Sequence, residues 1–272
     1  MRELEENLNG RIVVPDEFQE VFSHFYFAEN RSSATITRTL MPSYQTIMIF
    51  SFGINAYIHQ NSRDRIEVQK CIVLGPVRKA FEYSLPPTNR ILVANFKDDA
   101  FYRFFGAAAI ADHLPIDPDS LVEENCFTVL WHKLNELVNR EDQVRYILDF
   151  SRPYLKKRNA ITGQLIELRD TAYNPIKKVA ADESQSERSI QLNHKKHLGY
   201  SAKEISRYER FLKAVTMIQN ISGMASKDNW FEIVEQCGYY DQSQLINDFK
   251  HYMNVTPAKY FKLQHSICNP VS

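Results

Sequence analysis

The residues best equipped for chemistry lie near the C-terminal end of the chain. Gln242, Ser243, Gln244, Asn247 and Lys250 follow one another closely there. Side-chain amides and hydroxyls offer donors and acceptors that match base edges in the major groove of DNA, and a lysine neutralises a phosphate. Other chemistries lack their tools. There is no G-x-S-x-G elbow, no G-x-x-x-x-G-K-[ST] loop and no G-x-G-x-x-G turn, and the chain has only 8 glycines for cradling phosphates. Cys71, Cys126, Cys237 and Cys268 are far apart and form no C-x-x-C pair. His24, His59, His113 and His132 are scattered, without the short spacing that gathers metal ligands on neighbouring strands. Neither an enzyme, a metal nor a cofactor is expected.

The elements that position the polar cluster can be read from its flanks. Trp230, Phe231, Ile233 and Val234 form the apolar side of a short helix, which Gly238 ends in a left-handed turn. Asp241 can cap the next helix by accepting from its first-turn amides. That helix sets Leu245, Phe249, Tyr252 and Met253 on one face, and Ser243, Gln244, Asn247 and His251 on the other. Asn254 tolerates the left-handed conformation, and Thr256-Pro257 begins a further helix with a cap and a proline at its first position. Periodicity alone describes the surface of any helical domain equally well.

The wording of this segment is more specific. Gly238, Tyr239, Asp241-Gln242-Ser243, Phe249-Lys250 and Val255-Thr256-Pro257 occur in an order that resembles the signature of AraC/XylS-type transcription regulators, with Asn254 where glycine is usual. The resemblance implies two helix-turn-helix units joined by a linker helix, with recognition helices near 186–196 and 241–252. Ser186 to Gln191 fits the start of the first, and Leu198-Gly199-Tyr200-Ser201 the turn after it. Ser201 and Glu204 make a capping box for a linker helix of about Ala202 to Asn220, with Tyr208, Phe211, Leu212 and Val215 as its apolar stripe. The DNA-contacting residues so implied are Arg188, Ser189, Gln191, Lys195 and Lys196 in the first unit, and Gln242, Ser243, Gln244, Asn247 and Lys250 in the second.

The first unit departs more from the pattern. Ser184 replaces the turn glycine, and Glu183 and Gln185 stand where apolar residues are usual. Leu192 stands where a base-contacting arginine is frequent, and Asn193 and His194 take core-facing positions. Unpaired polar groups in a core cost about 1–3 kcal/mol each, which would leave this helix frayed or weak on DNA. A helix-turn-helix protein that acts mainly through protein contacts is therefore the alternative reading.

The remainder of the chain has strand character. Ala34–Leu40, Tyr44–Phe52, Val68–Val73 and Arg90–Phe96 read as strands punctuated by Pro42, Gly53, Gly75-Pro76 and Pro86-Pro87. Asp98–Ala111 and Leu121–Val138 read as helices, the second amphipathic; it either caps the β domain or dimerises. No strand is expected after it. Gly75-Pro76, Arg90–Phe96 and Tyr102 to Gly106 resemble, more loosely, the cupin-like barrels that precede this DNA-binding module, and a third reading, a cupin-type enzyme, would require bound metal. The aromatics Phe22, Phe25, Tyr26, Phe27, Phe101, Tyr102, Phe104 and Phe105 serve packing rather than a ligand pocket. The expected fold is α+β: an antiparallel β-barrel domain with flanking helices over 1–138, a linker over 139–160, and an all-α domain over 161–272. No repeat at the scale of solenoids is visible.

Composition sets the frame. The 272 residues are 44% hydrophobic and 24% charged, ordinary for a globular chain, with zero net charge. Residues 1–150 hold 15 Lys and Arg against 21 Asp and Glu, and residues 151–272 hold 18 against 12, leaving −6 and +6. The basic half is the one suited to a polyanion. No signal peptide or membrane span is evident, so a cytoplasmic protein is expected. Double-stranded DNA is the expected partner. A second copy of the chain, a small-molecule effector and RNA polymerase are further partners that the resemblance admits.

Overall fold

In the computed structural model the described residues are 7–59, 65–106, 114–122, 125–169, 174–221, 226–263 and 267–268. Strands β1 (Asn7–Ile12), β2 (Phe22–Asn30), β3 (Ile36–Leu40), β4 (Ile47–Phe52), β5 (Ala56–His59), β6 (Arg65–Val68), β7 (Cys71–Leu74), β8 (Phe81–Leu85) and β9 (Arg90–Phe96) build the N-terminal part. They form two sheets, ordered β1-β2-β9-β4-β7 and β3-β8-β5-β6, antiparallel throughout. A two-residue strand β10 (Ile267–Cys268) adds to the second sheet beside β3, in parallel. This strand lies beyond the region where strands were expected.

The β domain anticipated from the sequence is thus two facing antiparallel sheets. Ile47, Ile49, Ile91 and Val93 of one sheet pack against Ala56, Ile58, Tyr83 and Leu85 of the other. Alternation explains the arrangement, because every second residue of a strand points to the same face. The single strand expected over Val68–Val73 is two: Val68 ends β6 in the second sheet, Cys71 begins β7 in the first, and Gln69-Lys70 bend between them.

The outer face of the first sheet is covered by helices. These are α1 (Ala100–Phe105), α2 (Pro118–Val122), α3 (Cys126–Glu136) and α4 (Arg140–Ser151). The long helix expected over Leu121–Val138 is two: α2 ends at Val122, and Asp119 then accepts from the amides of Phe127 and Thr128 at the start of α3. An acceptor there satisfies otherwise orphaned first-turn donors. Phe127, Leu130 and Leu134 of α3 are buried, and Trp131 stacks on Phe52 and donates to the Ser51 carbonyl at 2.7 Å. The helix therefore caps its own sheet. The helix expected over Asp98–Ala111 stops at Phe105, where Gly106 adopts φ 78°; its later part lies outside the described residues, as does His113. The span 139–160 is no slack linker: α4 fills most of it and buries Val144, Ile147 and Leu148 in the same core as Phe22, Phe25, Phe101 and Phe104.

The C-terminal part is helical: α5 (Ala160–Glu167), α6 (Pro175–Asp182), α7 (Glu187–Leu198), α8 (Ala202–Gln219), α9 (Lys227–Gln236), α10 (Gln242–Met253) and α11 (Pro257–Leu263). Its two parts have separate cores, one around Leu165, Val179 and Ile190, the other around Phe211, Phe249 and Tyr260. The second core reaches into the β domain. Met41 and Tyr44 from the β3–β4 connection are buried among Tyr200, Tyr208 and Tyr252. The Tyr208 hydroxyl donates to the Pro42 carbonyl at 2.5 Å, the Ala80 amide to the Tyr252 carbonyl at 2.7 Å, and Arg78 to the Gly199 carbonyl at 2.6 Å. Asp98 pairs with Arg169, and Asp99 with Arg158.

Candidate nucleic-acid interface

Two helices, α7 and α10, present solvent-facing polar surfaces, and they are built alike. Ser186 caps α7 by accepting from the Ser189 amide, and Asp241 caps α10 by accepting from the Gln244 amide. Both helices have 12 residues and close in the left-handed conformation, at Gly199 with φ 81° and Asn254 with φ 54°. Ser201 then caps α8, with Glu204 completing the box, and Thr256 caps α11 by accepting from Lys259. One constant sequence offset relates all these pairs. The chain thus contains a duplicated unit that no repeat of residue types betrays.

The turns before the two helices differ by one residue. In the first, Ser184 takes φ 52° and the Gln185 amide returns to the Ala180 carbonyl; in the second, Gly238 takes φ 72° and the Tyr239 amide returns to Val234. The same C-terminal device closes both leading helices, but the second turn holds an extra residue, Tyr240, before its cap.

The core of each unit is held differently. The second is apolar: Leu245, Phe249, Tyr252 and Met253 are buried, as the spacing anticipates. Phe231, expected on the apolar side of α9, is instead 70% exposed, and Ile233 carries the burial. Asp248 is buried and accepts from Arg207 Nε at 2.7 Å and from Arg210 at 3.0 Å, which ties α10 to α8. In the first unit the polar residues thought to loosen the core are paired. His194 Nδ1 meets the Tyr200 carbonyl at 2.8 Å, and burial lowers its pKa, which keeps the ring neutral at pH 7. Thr162 donates to Asn193 Oδ1 at 3.0 Å and lies against His197 Nδ1. Satisfied groups escape the cost of orphaned ones, so fraying of this helix loses its physical motive.

On the outer faces, Arg188, Gln191, Lys195 and Lys196 of α7 are exposed, as are Gln242, Ser243, Asn247 and Lys250 of α10. Two of the anticipated residues are partly occupied. Ser189 donates its hydroxyl proton to Gln185 Oε1 at 2.9 Å, and Gln244 Oε1 accepts from the Tyr240 amide at 3.2 Å. Each keeps one function for a ligand: a free acceptor on Ser189 and a free amide donor on Gln244. The duplicated framework puts Leu192 of α7 where Asn247 stands in α10, and Lys195 where Lys250 stands. Gln191 corresponds to the half-buried Ile246, to one side of the face.

A second candidate site lies between the sheets. A cavity of about 80 Å³ is lined by Ile47, Ile49, Ile91 and Val93 and edged by Arg11, His24, Tyr57 and Asn95. Burial, then the nearby Arg11 guanidinium, push His24 down to about 4, so at pH 7 its ring is neutral and Arg11 supplies the charge of the lining. His59 is tied to Ser84. Of the aromatics assigned to packing, Phe22, Phe25, Phe101 and Phe104 are buried in the core, whereas Tyr26 lines the cavity. Among the described residues no group of His, Cys, Asp and Glu is arranged to hold a metal, and no helix is long and apolar enough to cross a membrane.

Residues 222–262 match the family of bacterial regulatory helix-turn-helix proteins, AraC family, a span that takes in the second unit and leaves out the first. No curated protein sequence matches the chain. Among solved structures it is similar to ToxT from Vibrio cholerae, at 16% identity over 88% of this chain and 98% of that one, with a TM-score of 0.43. A structure of ToxT with an unsaturated fatty acid bound is similar at 14% identity over 85% and 96%, TM-score 0.40. A recombinant oxalate oxidase in complex with glycolate is similar over 34% of this chain and 51% of that one, at 9% identity and TM-score 0.25. An antiparallel β domain is thus followed by a helical domain whose end carries the helix-turn-helix of the AraC family of bacterial regulatory proteins.

Proposed function

We propose that this chain is a sequence-specific DNA-binding transcription regulator, without enzymatic activity, in which α7 and α10 enter the major groove. The observation that carries the reading is the duplicated unit: two capped helices of equal length, each with an exposed polar and basic face, joined by α8. In this reading Arg188, Ser189, Gln191, Lys195 and Lys196, and Gln242, Ser243, Gln244, Asn247 and Lys250, touch DNA, with the lysines on phosphates. The site of action is the cytoplasm, where the DNA lies. The chain divides near Tyr154, since α4 belongs to the β domain's core. That domain dimerises or takes an effector, and its cavity suits a small, mostly apolar molecule with an acidic group for Arg11. RNA polymerase is the partner through which such a regulator acts.

Binding of the full chain to duplex DNA, measured from about 50 to 200 mM salt, tests this. Log affinity should fall with log salt at a slope of about −0.9 per phosphate neutralised. An affinity for DNA that is absent, or insensitive to salt, refutes the reading and leaves protein contacts as the role of both helices.

A further inference from the structure

The feature of the interface that the polar readout does not absorb is Leu192. It is 62% exposed near the middle of α7, and it occupies the place that Asn247 holds in α10. A single exposed leucine is ordinary on a protein surface. Its surroundings here are not. Arg188 lies one turn before it and Lys195 and Lys196 one turn after, all exposed, so the leucine is an apolar point on a cationic ridge. His194 and Ile190 hold the opposite side of the helix in the core, so the side chain is directed outward by a rigid support.

We propose that Leu192 is a specificity-determining residue that reads the C5-methyl group of a thymine in the major groove. This rests on the proposed function above and names what the first unit recognises. Of the four base pairs, those with thymine alone present an apolar group in the major groove, and an aliphatic side chain is the complement of a methyl. The flanking cations meet the phosphates on either side. Where α10 offers the Asn247 amide, α7 thus offers an apolar group, and the mode of reading differs between the units. The first unit selects by apolar contact at its centre, and the second by the Asn247 amide. A protein surface with an acidic rim around an apolar pocket would also fit this ridge, and the experiment separates the two.

The duplex to use is one that the full chain itself selects from a random pool. Each thymine in it is replaced in turn by deoxyuridine, which deletes the methyl and leaves every hydrogen-bonding edge intact. Affinity is read at fixed salt. At one or two positions in the half of the site bound by the first unit, wild-type binding should weaken about fourfold, the worth of one buried methyl. Leu192→Ala should bind the thymine duplex several-fold more weakly and be indifferent to that replacement, while Leu192→Met retains the sensitivity. Asn247→Ala should keep the thymine response in the first half-site. Three results overturn the proposal: no thymine whose methyl matters in that half, Leu192→Ala binding as wild type (the outcome a protein-docking role gives), or Leu192→Ala losing affinity equally on both duplexes. Salt-dependent binding with one of these results removes the leucine's role alone, whereas loss of all salt-dependent binding removes the DNA reading itself.

Discussion

Replacing Asp248 by alanine should destabilise the helical domain and unseat α10. The carboxylate is 3% exposed and accepts from Arg207 Nε at 2.7 Å and Arg210 at 3.0 Å. A hydrogen bond to a charged group contributes about 1.5–3 kcal/mol, so the two together approach about 3–6 kcal/mol as an upper bound. The arginines are 40% and 31% exposed, and once released they regain water. That recovery brings the expected loss to about 2–3 kcal/mol, by the discount that exposed partners impose on ion pairs. For a chain of this size a loss of 1 kcal/mol lowers Tm by roughly 2–4 °C, which predicts a drop of about 4–12 °C in a thermal melt followed by circular dichroism. Asp248→Asn keeps the shape and one acceptor, and should lose about half as much. In an Arg207→Ala, Arg210→Ala background, Asp248→Ala should cost markedly less than in the wild type, because the three groups act as a unit. A melt of Asp248→Ala within a degree of wild type, or full additivity in that background, refutes the view that this carboxylate fastens α10 to α8.

Stability should also fall with acid in a particular window. Burial holds the pKa values of His24, His194 and His197 below the ordinary 6.5 in the folded chain, so the unfolded chain binds more protons below that value. Tm should therefore fall as pH drops from 7 to 5 and on towards about 4, and His24→Gln should flatten the fall; a flat profile from 7 to 5 contradicts the assignment. On DNA, Asn247→Ala should relax specificity more than Gln191→Ala, since Gln191 lies to one side of its face, and Lys195→Ala should weaken all sequences alike; competition between the selected duplex and a scrambled one ranks them. Brief trypsin digestion should spare Arg145 in the packed helix α4, and mass spectrometry that finds an early cut there would return the 139–160 span to a linker.

The second unit was legible almost residue by residue, because each of its devices has a local signature: Gly238 for the left-handed turn, Asp241 for the cap, Thr256-Pro257 for the start of the next helix. The first unit was legible only through the family resemblance, because the two units share geometry and differ in residue type. His194 stands for Phe249 and Asn193 for Asp248, polar residues whose partners, Tyr200 and Thr162, are distant or unremarkable in sequence. Reading them as defects assumed that a polar core residue lacks a partner, and only tertiary structure supplies one. The same limit explains α4. Its pattern is weakly apolar, and what fixes it is the aromatic outer face of the first sheet, which a helix must cover. Strands fared well where turns bracketed them, as for Arg90–Phe96, and poorly at Val68–Val73, where the two-residue bend at Gln69-Lys70 carries no turn signal at all.

Part of the contact between the two domains is made by chain segments that also wall the cavity. Leu40 lines the cavity, and its neighbour Met41 is buried among the helices; Phe81 lines it, and its neighbour Ala80 donates to the Tyr252 carbonyl at the end of α10. Pro42 and Tyr44 continue the first segment into the tyrosine cluster, where aromatic contacts of about 0.5–1.5 kcal/mol each add to the burial. Arg78, two residues before Ala80, donates to the Gly199 carbonyl at the end of α7. α7 and α10 are thus each tied at the C-terminal end to the β7–β8 connection. A packed interior transmits displacement rather than absorbing it. In the proposed reading, a molecule that spreads β3 from β8 at the cavity displaces this shared connection and with it the spacing of α7 and α10, the quantity on which two adjacent major-groove contacts depend.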